Sequence, residues 1–360
     1  MRIGIIGLPS SGKTTFFNAL TGQQAVTGSY SQSKEANRAV VKVPDQRLLR
    51  LAEIYKPAKI TPAEVHYADI AGMTGAVSEQ KKEAAYISNL RYVDALAQVV
   101  RLFEEGSIPH PDGTVNPNRD IINANAELVF NDLLLAENNV EKLEKRIRVA
   151  KSPESSKLLE ILSRCREALE AEQFLADIGF TSEELKLIAG YAFLTLKPQL
   201  YILNIGENEI GRYQIPETLR RLLKPNNSVA VALCAKIAME ISRLDEKDRL
   251  EFRESLGIKK PALHTVIEES YRLLGLISFL TGGEKEVRAW TINRGATAQQ
   301  AAGAIHTDLA RGFIKAEIVH FDDLDRLGNW NTAKEKGKLQ LEGKEYIVRD
   351  GDVILFRFNV

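Results

Sequence analysis

Four residues separate Gly7 from Gly12, and a lysine and a threonine follow at once, in Gly7-Leu-Pro-Ser-Ser-Gly-Lys-Thr14. This is the G-x-x-x-x-G-K-[ST] pattern, and the chemistry open to it is the cradling of phosphate. Backbone N–H groups from Ser10 onward, through Ser11, Gly12, Lys13, Thr14 and Thr15, converge on phosphate oxygens, with Gly12 allowing close approach. Pro9 has no N–H and is confined to the rim of the loop. Lys13 then reaches the β- and γ-phosphates, and the Thr14 hydroxyl reaches a Mg²⁺ ion. Further along, Asp69-Ile-Ala-Gly72 supplies a carboxylate for the same ion, through water, and a Gly72 N–H for the γ-phosphate. Alone, D-x-x-G describes any turn after a strand; behind a phosphate loop it completes a triphosphate site.

The apolar run ending at Ile6 reads as a buried strand, and the segment from Lys13 to Leu20 as a helix. Residues 21–38 are polar and rich in Gly, Ser and Gln, a loop beside the phosphates. A strand at Ala39–Val43, a helix at Asp45–Tyr55 and a strand at Ala63–Ile70 come next. Asp69 therefore stands at the carboxyl end of a strand, where an open α/β sheet has its ligand crevice. A helix at Glu79–Leu90 and a buried strand at Ala95–Phe103 lead to a loop rich in Gly, Pro and Asn. From Ile121 to Phe174 the chain is charged and helical. Ala136, Val140, Leu143 and Ile147 form one apolar stripe, and Leu158, Leu162, Cys165 and Leu169 another, around a turn at Ser152-Pro153. These predict an antiparallel helical hairpin. The α/β pattern resumes with a strand at Gln199–Asn204, a helix at Pro216–Leu223 and a strand at Ser228–Leu233, so the hairpin is an insertion. Beyond Leu276 the chain is β-rich, with strands near Val287–Ile292, Ile314–Val319 and Val353–Phe358 around one helix at Thr297–Ala310.

The 360 residues are 44% hydrophobic, with 48 basic residues against 48 acidic, so no global field draws the chain to nucleic acid or an anionic membrane. Charges of the two signs also balance across the hairpin, which favours a solvated surface over a nucleic-acid clamp and leaves a protein or RNA contact at its tip open. Two widely separated cysteines support no disulfide framework, and no uncharged stretch is long enough to cross a membrane, so the expected location is cytoplasmic.

Several motifs together resemble the YchF family of Obg-related P-loop NTPases over essentially the whole chain. They are the phosphate loop, Asp69-Ile-Ala-Gly72, Val99-Val-Arg-Leu-Phe-Glu104, Pro44-Asp-Gln-Arg-Leu48, Leu244-Asp-Glu-Lys-Asp-Arg249 and Tyr271-Arg-Leu-Leu-Gly275. The nearest agreement is C-terminal, in Lys285-Glu-Val-Arg-Ala-Trp-Thr291, Ala302-Gly-Ala-Ile-His-Thr-Asp308 and Asp350-Gly-Asp-Val353. The resemblance implies an α/β fold: a Ras-like P-loop NTPase domain over 1–120 and 196–275, a helical coiled-coil hairpin at 121–195, and a β-grasp (TGS) domain at 276–360. It also implies ATP or GTP as ligand, Mg²⁺ as cofactor, slow hydrolysis, and a ribosome-associated role in translation, with RNA contact through the hairpin or the TGS domain.

The same resemblance assigns base binding to Asn204-Ile-Gly-Glu207 and Cys234-Ala235-Lys236, and makes Ser33 the first-switch ligand to the metal beside Thr14 and Asp69. Three departures mark a divergent member. Ser33 stands where the family has threonine, Ser10 and Ser11 replace Asn-Val, and Ala76-Val-Ser-Glu-Gln-Lys-Lys-Glu-Ala-Ala85 replaces a glycine-rich second switch. Met73 occupies the place of the water-orienting glutamine of Ras-like GTPases, and no catalytic residue is assigned. Glu207 is one methylene longer than the aspartate that pairs with guanine, which points to ATP bound at least as well as GTP. Two alternatives stand beside this reading: a nucleotide-binding scaffold with little hydrolysis, and a P-loop kinase for a small acceptor.

Overall fold

The structure is a computed structural model that describes residues 1–22, 37–70, 79–150, 152–223, 227–258 and 260–359. The chain separates into two compact units, residues 1–39 with 66–266, and residues 40–65 with 267–360.

In chain order the first elements are β1 (Arg2–Ile6), α1 (Lys13–Thr21), β2 (Asn37–Lys42), α2 (Gln46–Tyr55), β3 (Ile60–Thr61), β4 (Glu64–Asp69), α3 (Glu79–Arg91) and β5 (Ala95–Arg101). The hairpin helices α4 (Pro117–Val149) and α5 (Pro153–Glu170) precede α6 (Ser182–Ile188), β6 (Gln199–Asn204), α7 (Glu217–Leu222), β7 (Ser228–Leu233), α8 (Ala235–Arg243), α9 (Glu246–Ser255) and α10 (Ala262–Leu273). The last stretch holds β8 (Leu276–Thr281), β9 (Val287–Asn293), α11 (Ala298–Ile305), α12 (Thr307–Arg311), β10 (Phe313–His320), α13 (Phe321–Leu327), α14 (Trp330–Glu335), β11 (Gln340–Glu342) and β12 (Asp352–Phe358).

The larger sheet runs in the order β2-β4-β1-β5-β6-β7, with β4, β1, β5, β6 and β7 parallel neighbours. A parallel strand covered on both faces needs an apolar run, not an alternating one. The sequence of β5 is such a run, and all seven of its residues are buried. The strand order reverses around β1, so the ligand crevice falls at the carboxyl ends of β1 and its neighbours.

The hairpin forms as its stripes require. Asn116 caps α4 by accepting from the Arg119 N–H, and Ser152 caps α5 by accepting from the Ser155 N–H; a proline follows each cap. Ala136, Val140, Leu143, Leu162, Cys165 and Leu169 share one buried cluster, with Ile147 and Leu158 packed at its edge. At the base of the hairpin Asp132 is fully buried. It accepts from the Leu194 N–H at 3.0 Å, the Thr195 N–H at 2.7 Å and the Thr195 hydroxyl at 2.8 Å, with Arg91 Nη1 at 3.3 Å. Burial pushes this carboxyl up, and those four donors hold it back down. Asp132→Ala is expected to cost about 3–5 kcal/mol, because it strands three donors in the interior and takes away the carboxylate that faces Arg91. Urea denaturation reads the loss, and an unchanged midpoint would contradict this role.

In the second unit the sheet order is β11-β10-β12-β8-β9-β3. Antiparallel β8–β9 and β10–β12 pairs are joined by the parallel β12–β8 contact, and Ala298, Ala301 and Ala302 of α11 pack into the core beneath. This mixed sheet crossed by a helix is the expected β-grasp form. Two points differ from the sequence reading. The single helix at Thr297–Ala310 is two, because His306 is extended (φ −161°); it ends α11 and caps α12 by accepting from the Asp308 N–H. Residues 40–65, which the sequence reading placed within 1–120, pack with the C-terminal residues: β3 pairs with β9, and Thr61 donates to Glu286 at 2.6 Å. Arg47 binds both Asp45 and Asp350, and Asp350 in turn accepts from the Ser278 N–H at 2.9 Å. The Pro44-Asp-Gln-Arg-Leu48 and Asp350-Gly-Asp-Val353 motifs are thus two halves of one contact.

Candidate nucleotide-binding site

The loop from Gly7 to Gly12 leaves β1 at its carboxyl end and enters α1. Gly7 has φ +144°, and a Cβ there would lie 2.4 Å from the Val99 carbonyl oxygen. Gly12 caps α1 with φ +96°, and a Cβ there would meet the Asn204 amide nitrogen at 2.3 Å. Both glycines are therefore dictated by sterics as well as by φ. Ser10 is also left-handed, at φ +62°. The Ser11 N–H donates to the Leu8 carbonyl, and the Phe16 N–H to the Gly12 carbonyl, starting the helix ladder. The N–H groups of Lys13, Thr14 and Thr15 belong to the first helical turn, whose donors have no partner within the helix.

Lys13 Nζ donates to the carbonyls of Gly7 at 2.8 Å and Leu8 at 2.7 Å. Burial pushes its pKa down, and Asp69 pulls it back up. Asp69 shows the mirror image: burial raises it, while Lys13 and the Thr14 hydroxyl, 3.4 Å from Oδ2, lower it. Two polar side-chain atoms at this locus, Ser11 Oγ and Asp69 Oδ1, are buried without a hydrogen-bond partner among the described residues. Lys13, Thr14 and Asp69 thus form one electrostatic group. Gly72 and Ser33, and with them Met73, lie outside the described residues.

Asn204, at the carboxyl end of β6, joins two loops. Its Nδ2 donates to the Ser11 carbonyl at 3.0 Å, and its Oδ1 accepts from the Ala235 N–H at 3.0 Å. The phosphate loop and the Cys234-Ala235-Lys236 segment are therefore tied through a single buried carboxamide. Lys236 Nζ donates to Glu207 Oε1 at 2.6 Å, with both side chains exposed. Cys234 is buried at the N-cap of α8, its thiol pushed up by burial.

One neighbour escaped the sequence reading. Arg101 ends β5 in register with Asn204; its Nη2 donates to the Ile108 carbonyl at 2.8 Å, its Nε to the Phe103 carbonyl, and its guanidinium lies 4.5 Å from the Phe103 ring. It fixes the loop that leaves the carboxyl end of the sheet. The signal was present in Val99-Val-Arg-Leu-Phe-Glu104, since an arginine closing an apolar strand needs a reason to be there. The same loop is braced at His110, whose Nε2 lies 3.0 Å from Asp120 Oδ2 and whose Nδ1 accepts from the Asp112 N–H. Together with Asp112 these side chains have the spacing of a metal site, but Arg119 already covers both carboxylates.

The chain is similar to known proteins over its whole length. Residues 2–139 match the family model described as 50S ribosome-binding GTPase, and residues 276–359 match the C-terminal model of YchF GTPases, described as a protein of unknown function. A protein named ribosome-binding ATPase YchF from Haemophilus influenzae is 42% identical, the alignment covering 100% of this chain and 99% of the relative. The protein of that name from Bacillus subtilis is 41% identical over the full length of both. The solved structure of the Schizosaccharomyces pombe YchF GTPase superposes with a TM-score of 0.87 at 31% identity, over 99% of this chain and 97% of that one. With a phosphate loop, a buried Asp69 and an Asn204 clamp in place, and with identity of this order from end to end, the chain belongs to the YchF family of P-loop NTPases.

Proposed function

We propose that this protein binds ATP at least as well as GTP, hydrolyses it slowly with Mg²⁺, and works in association with the ribosome in the cytoplasm. The observation that carries the nucleotide reading is the Asn204 carboxamide, which holds the phosphate loop and the base-side segment in one fixed relation. A loop that cradles phosphate is thereby fixed beside a second segment able to border a base. The names of the relatives support hydrolysis and the ribosome as partner.

Thr14 and Asp69 fit a divalent cation. Among the described residues Asp69 Oδ1 is buried without a hydrogen-bond partner, while Oδ2 lies beside the Thr14 hydroxyl and the carboxylate feels the field of Lys13. When bound, Mg²⁺ would neutralise charge developing on the transferred phosphoryl group. Ser10, Ser11, Gly12, Lys13, Thr14, Thr15 and Gly72 would contact phosphate; Asn204, Glu207 and Cys234 to Lys236 would border the base. Both polar ends of Asn204 are already used within the protein, so its part is to position these loops. The Glu207 side chain is one methylene longer than the aspartate that pairs with guanine, which disfavours the paired hydrogen bonds that guanine offers; its exposed pair with Lys236 adds little.

Slow turnover follows from Met73, a thioether where an amide would orient the attacking water. Single-turnover hydrolysis of ATP by the free protein with Mg²⁺ is expected to be far below the roughly 1–10³ s⁻¹ common among enzymes. A free rate of many per second would contradict it, and no hydrolysis at all would favour the scaffold reading.

A further inference from the structure

At the edge of the larger sheet, between β7, α8 and the start of α10, lies a cavity of about 430 Å³. It is distinct from the nucleotide crevice, because the phosphate loop, Asp69, Asn204, Glu207, Ala235 and Lys236 take no part in its lining. Ile205, Cys234 and Ile237 line it and are buried, so they form its floor; Gly257 and Lys260 are exposed and stand at its rim. Voids in a packed interior are rarely larger than a water molecule, so a space of this size is no packing defect. It falls within the range of about 300–1,000 Å³ that ligand pockets occupy. Small residues keep it open. Ala232, Ala238 and Ala262 line it, and a larger side chain at any of them would reach into the space.

The walls select the kind of ligand. Five isoleucines, Ile205, Ile210, Ile237, Ile241 and Ile258, face the cavity and belong to one apolar cluster. Among the described residues no aromatic side chain lines it. A nucleobase or another planar ring gains most from an aromatic face on which to stack, whereas branched aliphatic walls suit an alkyl chain. The Cys234 thiol on the floor is pushed up by burial, which keeps it from the nucleophilic thiolate form and makes the contact non-covalent.

The polar end of the cavity is set by α10. Lys260, Ala262 and Leu263 line it where this twelve-residue helix begins. The N–H groups of His264 and Thr265 turn back to the Pro261 carbonyl, leaving those of Ala262 and Leu263 without a partner in the helix. Pro261, before the first helical residue, has no side-chain oxygen to cap them. The helix dipole and the Lys260 ammonium make this end positive. An apolar body with an anionic head therefore matches the site at both ends.

We propose that this cavity binds a single-chain alkyl carboxylate, with the chain against the isoleucines and the carboxylate at Lys260 and the N-terminus of α10. The full-length chain is titrated calorimetrically with octanoate, decanoate and dodecanoate, each below its micellar concentration. Saturable binding of one molecule per chain is expected, tightening about fourfold for each added methylene. Decanol should bind at least about threefold more weakly than decanoate, and Lys260→Gln should weaken decanoate by about fivefold while leaving decanol unchanged. Ala238→Phe fills the cavity from α8 and should weaken all three carboxylates at least about tenfold, with ATP affinity unchanged as the report of an intact fold. Ala238→Leu, a smaller filling, decides the matter if the larger one does not fold, through a loss of about threefold or more.

Saturating ATP should leave decanoate bound, since the two sites share no polar contact. Displacement by ATP would put the carboxylate in the nucleotide crevice and overturn the proposal. So would the absence of binding in the millimolar range, affinity that ignores chain length, binding that survives the Ala238 substitutions, or decanol or decylamine binding as tightly as decanoate.

Discussion

Lys13→Ala is expected to weaken ATP binding at least a hundredfold, about 2.7 kcal/mol, without lowering the thermal midpoint. The ammonium lies among the carbonyls of its own loop, within the field of Asp69. Charge-assisted hydrogen bonds to phosphate are worth about 1.5–3 kcal/mol each, so loss of one or two meets the expected fall. The sign for stability is opposite. Because burial lowers the Lys13 pKa, the folded state disfavours the charged form, and removing the charge removes that cost. Titration with a fluorescent ATP analogue together with a thermal melt gives both quantities. Undiminished affinity would overturn the phosphate-loop assignment, and a collapsed melt would make Lys13 a structural residue.

Asn204→Ala separates positioning from base reading. The substitution leaves the Ala235 N–H and the Ser11 carbonyl without their partner in a buried place, at about 1–3 kcal/mol for each stranded group. If Asn204 acts by tying the two loops, ATP and GTP affinities should fall together, by about tenfold or more, and their ratio should hold. If it reads the base directly, the ratio should change while the phosphate contribution survives. Parallel titrations of ATP, GTP and a triphosphate lacking a base distinguish the two, and a changed ratio would contradict the positioning role.

The phosphate loop, Asp69 and the hairpin were legible because each depends on local spacing. Gly7 and Gly12 are needed where the chain must turn and pass close to Val99 and Asn204. The hairpin stripes recur at helical periods, and prolines follow both caps. Other features depend on contacts between distant segments. That Asn204 spends both ends of its amide inside the protein cannot be read from Asn-x-x-Glu, because its partners, Ser11 and Ala235, lie far away in sequence. Nor can the Arg47–Asp350 pair, which ties the β2–β4 connection to the C-terminal sheet. Contiguity in sequence assigned residues 40–65 to the first domain, although α2 and β3 complete the second unit. This changes how the C-terminal domain can be tested. Cutting before Leu276 takes β9 and Asp350 from residues 40–65, so point substitutions on the surface are the sound probe of its contacts. His306 is a smaller case: an alanine-rich run reads as one helix, and only an extended residue capping the next turn divides it.

Nucleotide choice separates this site from ordinary guanine recognition. In competitive titration of the purified protein with Mg²⁺, ATP should displace a fluorescent triphosphate at a concentration equal to or below that required of GTP, since Glu207 carries one methylene more than the aspartate that pairs with guanine. A dissociation constant for GTP tenfold or more below that for ATP would contradict this account and return the site to ordinary guanine recognition.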